Sequence, residues 1–378
     1  VNPSVPSAHP TNTLSASLGL GERLFASSGE KKFVADIEDA LAQVEAGLFD
    51  EITFADDLAD VTSRYLLNAG GKRVRPVLTL LTAQLGAGIN DRVITAAKAI
   101  EMIHLASLYH DDVMDEAQMR RGVPTAQAVW GNSIAILTGD LLFARASKLV
   151  AALGEEAILL QANTFERLCL GQLHETIGPR EGQDPISHYI SVLADKTGSL
   201  IAAAAEMGVL FSGAPEEYRV PVVTFGEKIG VAFQLIDDVL DLSEKSTDTG
   251  KIAGTDLRSG VSTLPMLYLR AEAGSNAASA ELLDRLDRDV SAGISAGLSA
   301  SLNADPTAGH GTGTSDMAAE KELASAIAEL RHHEVTARTR AEAHRWAREA
   351  VEALAPLPEG PVKKALTRFA DTVVERSS

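Results

Sequence analysis

Two stretches of the chain carry the same unusual pattern. "LYHDDVMDE" at 108–116 holds Asp111, Asp112 and Asp115, and "QLIDDVLDL" at 234–242 holds Asp237, Asp238 and Asp241. On a helix, residues three or four apart share a face. Each stretch therefore sets three carboxylates on one side of a helix, where like charges weaken it. A solvated acidic face is the plain reading of one such triplet. Two copies, each preceded by apolar sequence ("HLASLY" and "VAFQLI"), point instead to interior segments, where unpaired carboxylates are costly. A hard divalent cation removes the repulsion. Mg2+ prefers oxygen ligands, keeps several waters, and is commonly shared between one or two carboxylates and phosphate oxygens. A calcium loop would need a glycine turn and alternating oxygen ligands, which these segments lack.

If a cation binds phosphate here, basic groups should stand nearby. "GGKRVRP" at 70–76 supplies Lys72, Arg73 and Arg75 just before an expected helix start, a position that suits an anion. Arg120 and Arg121 follow the first triplet, and Arg forks match phosphate geometry. His104 lies seven residues before Asp111, two turns back along the same stripe. "KTGSL" places Lys196 and Thr197 in an otherwise apolar helix, Gln234 stands one turn before Asp237, and Lys251 lies in a polar loop after the second triplet. Each has a bland alternative, a helix cap or a surface charge. Together they describe two acidic walls and several basic clusters, enough for two diphosphates and bridging Mg2+.

The elements that would position these groups are helical. Apolar spacing predicts helices over about 91–112, 133–153, 155–177, 186–211, 217–242 and 262–273, with breaks at "GPREGQDP" and "SGAP". Residues 1–28, rich in Ser, Pro, Asn and Thr, are expected to be disordered. One large domain is expected over 29–378, with a flexible Ala/Gly/Ser-rich insertion around 290–316 and a helix around 279–291 leading into it. Aromatic residues make up only 4% while apolar residues reach 45%, which favours packed helices over short strands. The net charge of −18 argues against nucleic acid as a general partner. Cys169 is the single cysteine, so an internal disulfide is excluded, and its apolar surroundings predict a buried thiol. The N-terminal stretch has no basic start and no apolar block, and apolar runs such as "SLIAAAAEMGVLF" are interrupted, here by Glu206. A cytoplasmic protein without an integral membrane segment is the expectation.

With "GGKRVRP", "LYHDDVMDEAQMRRG", "KTG", "FQLIDDVLD" and "GKIAGTDL" in this order, the chain resembles the all-trans isoprenyl diphosphate synthases over about residues 70–265. The resemblance implies an all-α fold, a single large helical bundle around a deep central cavity, in a homodimer. It implies that Asp111, Asp112 and Asp115 with Asp237, Asp238 and Asp241 hold three Mg2+, or Mn2+ as a substitute, on the diphosphate of an allylic primer. Isopentenyl diphosphate would be held by Lys72, Arg75, His104 and Arg121. Arg120, Lys196, Thr197, Gln234 and Lys251 would grip the allylic diphosphate, with Lys196 also counted among the catalytic groups beside the aspartates. One departure is visible. Many relatives carry a Lys where this chain has Val261 after "GTDLRSG", which gives Lys251 more weight.

The growing tail would run along the helix before Asp111. Short-chain members of the family close that path with aromatics four and five residues before the first aspartate, where this chain has Ser107 and Ala106. Ile103 and Met102 lie one turn deeper, and one turn of about 5.4 Å is roughly one isoprene unit. This implies a medium or long product, about heptaprenyl to nonaprenyl, for a respiratory quinone such as menaquinone, with transient membrane contact on release. The rivals are a geranylgeranyl diphosphate synthase, a dependent subunit of a two-component synthase, and a terpene cyclase. A cyclase normally has one aspartate motif and no second-substrate clamp. Partner subunits tend to lose aspartates, and this chain keeps all six.

Overall fold

The computed structural model describes residues 28–243, 253–302 and 314–375. Lys251 and the "NADPTAGHGTG" stretch lie outside them. Among the described residues the regular elements are helices apart from one two-stranded hairpin, as the composition predicts. They gather into two compact units. The first comprises the described residues up to Leu173, Ala194–Gly230 and Ala347–Thr372; the second comprises His174–Leu193, Val231–Trp346 and the residues from Val373 on.

In the first unit, helix α1 (Ser28–Glu51) buries Ile37, Ala40, Val44 and Leu48 along one stripe. Helix α2 (Asp57–Asn68) starts at Asp56, whose carboxylate accepts the Ala59 N–H at 2.9 Å. Helix α3 (Val74–Ala83) follows the Gly70–Gly71 pair. Helix α4 (Asp91–Met114) is capped by Asn90, whose side chain accepts from the Arg92 and Val93 amides, and it carries the first aspartate triplet at its far end. Its buried residues run round the whole helix, from Val93 and Ala96 to Leu105 and Tyr109, so α4 is a core helix. A hairpin follows, β1 (Met119–Arg120) paired with β2 (Val123–Pro124), then α5 (Ala126–Trp130) and α6 (Asn132–Leu153). The hairpin is not foreseen by the helical periodicity. Arg121 (φ 53°) and Gly122 (φ 79°) form its two-residue turn, the mirror-image type that suits the strand twist.

Helix α7 (Glu155–Ile177) is followed by α8 (Pro185–Leu193), a π-helical turn over Ala194–Gly198, and α9 (Ser199–Ser212). The single helix expected over 186–211 is therefore broken by one wide turn. Helix α4 packs along α6 and also meets α9, α3 and α1. The Thr79 and Thr82 hydroxyls of α3 donate to the Ala204 and Ala205 carbonyls of α9, each at 2.8 Å, so polar groups buried between the helices are satisfied.

Helix α10 (Arg219–Asp241) ends in the second aspartate triplet and is in the second unit from Val231 on. That unit also holds α11 (Thr255–Arg258), α12 (Leu264–Ala273), α13 (Ala277–Leu302) and α14 (Thr314–His332). Helix α13 runs eleven residues past the expected end at 291. Its Ala-rich composition sustains the helix through "SAGISAGLSASL", where glycines suggested an insertion loop. Helix α12 packs against α13 and α8. Helices α15 (Glu334–Ala353) and α16 (Pro361–Glu375) are the last of the described elements. Among the described residues no helix is long and apolar enough to cross a membrane.

Candidate active site

The basic loop before α3 is built around two guanidinium groups. Gly71 adopts φ 149°, and a Cβ there would fall 2.7 Å from Arg73 Nη1 and 2.9 Å from Arg121 Nη2. Glycine at this position leaves room for both. Arg73, itself in a left-handed conformation (φ 49°), is 7% exposed. It pairs with Glu45 and, at 3.1 Å, with Glu101, and donates to the Leu67 and Gly70 carbonyls. Arg73 is thus a strut tying α1, α4 and the loop together, not a phosphate ligand. Arg121 also uses Nη1 inside the protein, donating to Leu66 O at 2.9 Å and to Gly70 O. The remaining basic group of the loop, Lys72, is exposed.

Arg75, Arg121 and His104 stand within electrostatic reach of one another. The His104 imidazole is held well below its usual range, first by burial and then by Arg75, Arg121, Arg73 and Arg120. It is therefore a neutral hydrogen-bonding group in a cationic pocket. Burial pulls the Arg75 guanidinium down to about 10, and Arg121 adds to this, while Glu101 and Asp111 oppose it. Arg75 stays charged at neutral pH. Its Nε is buried with no hydrogen-bond partner among the described residues. A buried cationic donor left unmatched is costly, and an anion would satisfy it.

The first triplet sits where α4 ends. Asp115 is the last capping residue, and its amide still bonds to Asp111 O at 2.8 Å, so the helical register holds. Asp111 is half-buried and Asp115 exposed. Asp112 is fully buried, with Oδ1 accepting from Arg120 Nε at 2.7 Å and Oδ2 lacking a partner among the described residues. Burial raises the Asp112 pKa against the pull of Arg120, and Asp115 adds to the rise. Carboxylates at a helix C-terminus also meet the negative end of its dipole.

Lys196 and Thr197 lie in the π-helical turn, a feature often found at functional positions. The turn is pressed by two neighbouring helices. A Cβ on Gly171 of α7 would fall 2.8 Å from Lys196 N, and one on Gly230 of α10 would fall 2.6 Å from Gly198 Cα. Arg167 closes the side of the turn, bonding Asp195 at 2.8 Å and Glu227 at 2.5 Å.

In the second unit, Asp238 is 6% exposed and burial pushes its pKa up to about 8. Its Oδ2 accepts from the Tyr189 hydroxyl at 2.8 Å and from the Leu264 amide at 3.4 Å. Asp241 caps α11, with its two carboxylate oxygens taking the Thr255 and Asp256 amides at 3.1 Å each. A carboxylate oxygen has two lone pairs, so capping leaves capacity for a cation. Asp237 and Gln234 are half-buried on the same helix. Tyr189 and Asp256 escaped the sequence reading. Asp256 stands within the quoted "GTDL", but nothing there marks it as a neighbour of Asp238.

Other expectations fare differently. Cys169 is exposed, because α7 turns that face outward. Met102, Ile103 and Ala106 are buried in α4 and Ser107 is half-buried, its hydroxyl bonded to His104 O at 2.9 Å. A half-open cavity of about 520 Å³ lies between α7, α9 and α10 and includes Leu160, Thr164, Ala202, Ala203 and Val223, but none of the sequence-predicted site residues. Its two arginines are already paired, Arg167 as above and Arg219 with Glu206 and Glu156.

Among the described residues no three His, Cys, Asp or Glu side chains form a ready-made metal cluster. The donor set nevertheless suits a hard cation shared with a ligand. Asp112 offers an orphaned buried oxygen, and Asp238 is a buried carboxyl that a bound cation would hold in its charged form.

Comparison with known proteins places these features in context. Residues 56–292 match the polyprenyl synthetase family. The chain is 41% identical over 349 residues to nonaprenyl diphosphate synthase of Mycobacterium tuberculosis, covering 92% of this chain and 96% of that protein. It is 39% identical over 251 residues to heptaprenyl diphosphate synthase component 2 of Geobacillus stearothermophilus, covering 66% of this chain and 78% of the relative. Its fold resembles that of a geranylgeranyl pyrophosphate synthase from Corynebacterium glutamicum, whose crystal structure holds calcium and isoprenyl diphosphate. There the TM-score is 0.74 and the identity 36%, over 93% of this chain and 98% of the other.

Proposed function

The chain belongs to the polyprenyl synthetase family, and on that premise we propose that it is a polyprenyl diphosphate synthase extending an allylic diphosphate with isopentenyl units. The observation that carries this reading is the pocket of Arg75, Arg121 and neutral His104 beside the first aspartate triplet. A second-substrate clamp of this kind has no use in a cyclase.

Arg75, His104, Arg121 and Lys72 hold the isopentenyl diphosphate. Arg120, Lys196, Thr197, Gln234 and Lys251 hold the allylic diphosphate, and Asp111, Asp112, Asp115, Asp237, Asp238 and Asp241 provide the cation-binding oxygens. Bound Mg2+, three per site with Mn2+ as a substitute, would neutralise charge on the departing diphosphate. The C–O bond of the primer breaks and the diphosphate leaves with the electron pair. The isopentenyl double bond attacks the allylic cation, and a proton passes to the released diphosphate. The chain's own part is to fix both diphosphates, orient the double bond and exclude water. No side-chain nucleophile is needed.

The small Ala106 and Ser107 and the 41% identity to a nonaprenyl synthase support a product of about heptaprenyl to nonaprenyl length; such a product would serve a quinone such as menaquinone, made in the cytoplasm. Ala106→Phe is expected to shorten the product by one or more isoprene units, read by mass spectrometry of the diphosphates. Unchanged products from a folded variant would remove Ala106 from the tail path. Leu137, Leu141, Leu159 and Leu170 of α6 and α7 are exposed apolar residues, which supports a homodimer through these helices. Sedimentation should give twice the chain mass; a monomer at micromolar concentration would contradict this.

A further inference from the structure

We propose that Tyr189 is a positioning residue for the second aspartate motif: its hydroxyl holds the Asp238 carboxylate and so fixes the end of α10 that presents Asp237 and Asp241. The proposal rests on the function given above. Tyr189 lies on α8, outside every motif the sequence displays, and reaches Asp238 Oδ2 at 2.8 Å. Among the described residues the same oxygen also receives a long second bond, from Leu264 N at 3.4 Å. Asp238 is buried, and Asp237 and Asp256 add like charge around it. A buried carboxylate in that setting needs a strong donor or it turns away or takes a proton. The phenol meets that need from a different helix, at 2.8 Å. Phenylalanine would fill the same space and could not donate.

Partners of this kind, which act through a cation-binding side chain, typically change metal affinity or activity by about 10- to 100-fold. In the intact chain, Tyr189→Phe is expected to raise the Mg2+ concentration for half-maximal activity by about tenfold or more. KM for isopentenyl diphosphate should stay within about twofold, because its proposed ligands are in the other unit. A readout independent of turnover is Mn2+ binding with inorganic pyrophosphate, followed by the loss of the free-ion electron paramagnetic resonance signal. Wild type should bind and Tyr189→Phe should bind about tenfold more weakly. Asp238→Ala and the double variant should bind alike, since without a side-chain acceptor at 238 the phenol has nothing to hold; this comparison also stands if Tyr189→Phe alone folds poorly. Equal Mn2+ binding by wild type and Tyr189→Phe, or additive losses in the double variant, would overturn the positioning role and leave the proposed function standing. No Mn2+ and pyrophosphate binding by wild type would sink both.

Discussion

Asp111→Asn is expected to lower the rate of condensation by about 10²–10³-fold while the protein stays folded. The change keeps the size and much of the hydrogen bonding of the side chain and removes one negative charge. Asp111 stands in the last turn of α4, followed by Asp112 and Asp115, with the helix dipole adding to their negative field. That field is unfavourable to the free protein and favourable to a cation between carboxylate and diphosphate. The melting temperature without divalent cations should therefore hold or rise, as repulsion is relieved. KM for isopentenyl diphosphate should change little, and the loss should fall on kcat. A variant retaining a rate within about threefold of wild type would show that Asp111 is not needed for catalysis.

The second large effect is on stability. Arg73→Ala is expected to lower the free energy of unfolding by about 3–5 kcal/mol, measured by urea denaturation. Glu101 is 2% exposed and pairs with Arg73, and Glu45 pairs with the same guanidinium. Removing the arginine leaves the buried Glu101 carboxylate without its hydrogen-bonded partner and takes one donor from each of the Leu67 and Gly70 carbonyls. Glu101→Gln should cost less, because the amide can still accept from Arg73. A loss under about 1 kcal/mol for Arg73→Ala would mean that the network is solvated and weak.

Arg73 also shows where sequence reading stops. In "GGKRVRP" it looks like one of three equivalent phosphate ligands, yet Lys72 is exposed, Arg75 enters the pocket and Arg73 is a strut. Its partners Glu45 and Glu101 are each 28 residues away, and no local pattern announces them. The aspartate triplets were legible because their signal is local: like charges at helical spacing inside apolar sequence. The helices that carry them were legible for the same reason, and α4 and α10 end close to the expected places. The π-helical turn at Lys196 was not, because it depends on Gly171 and Gly230 coming in from other helices. Tyr189 was hidden likewise, since its partner Asp238 is 49 residues on.

The central claim is that this one chain joins isopentenyl units to an allylic diphosphate. The direct test is incorporation of labelled isopentenyl diphosphate by the purified chain with farnesyl diphosphate and Mg2+, followed by sizing of the products. The account predicts a cation-dependent ladder of linear diphosphates extending to about heptaprenyl to nonaprenyl length, abolished by a chelator. No incorporation unless another subunit is added, or a cyclic hydrocarbon in place of the ladder, would contradict it.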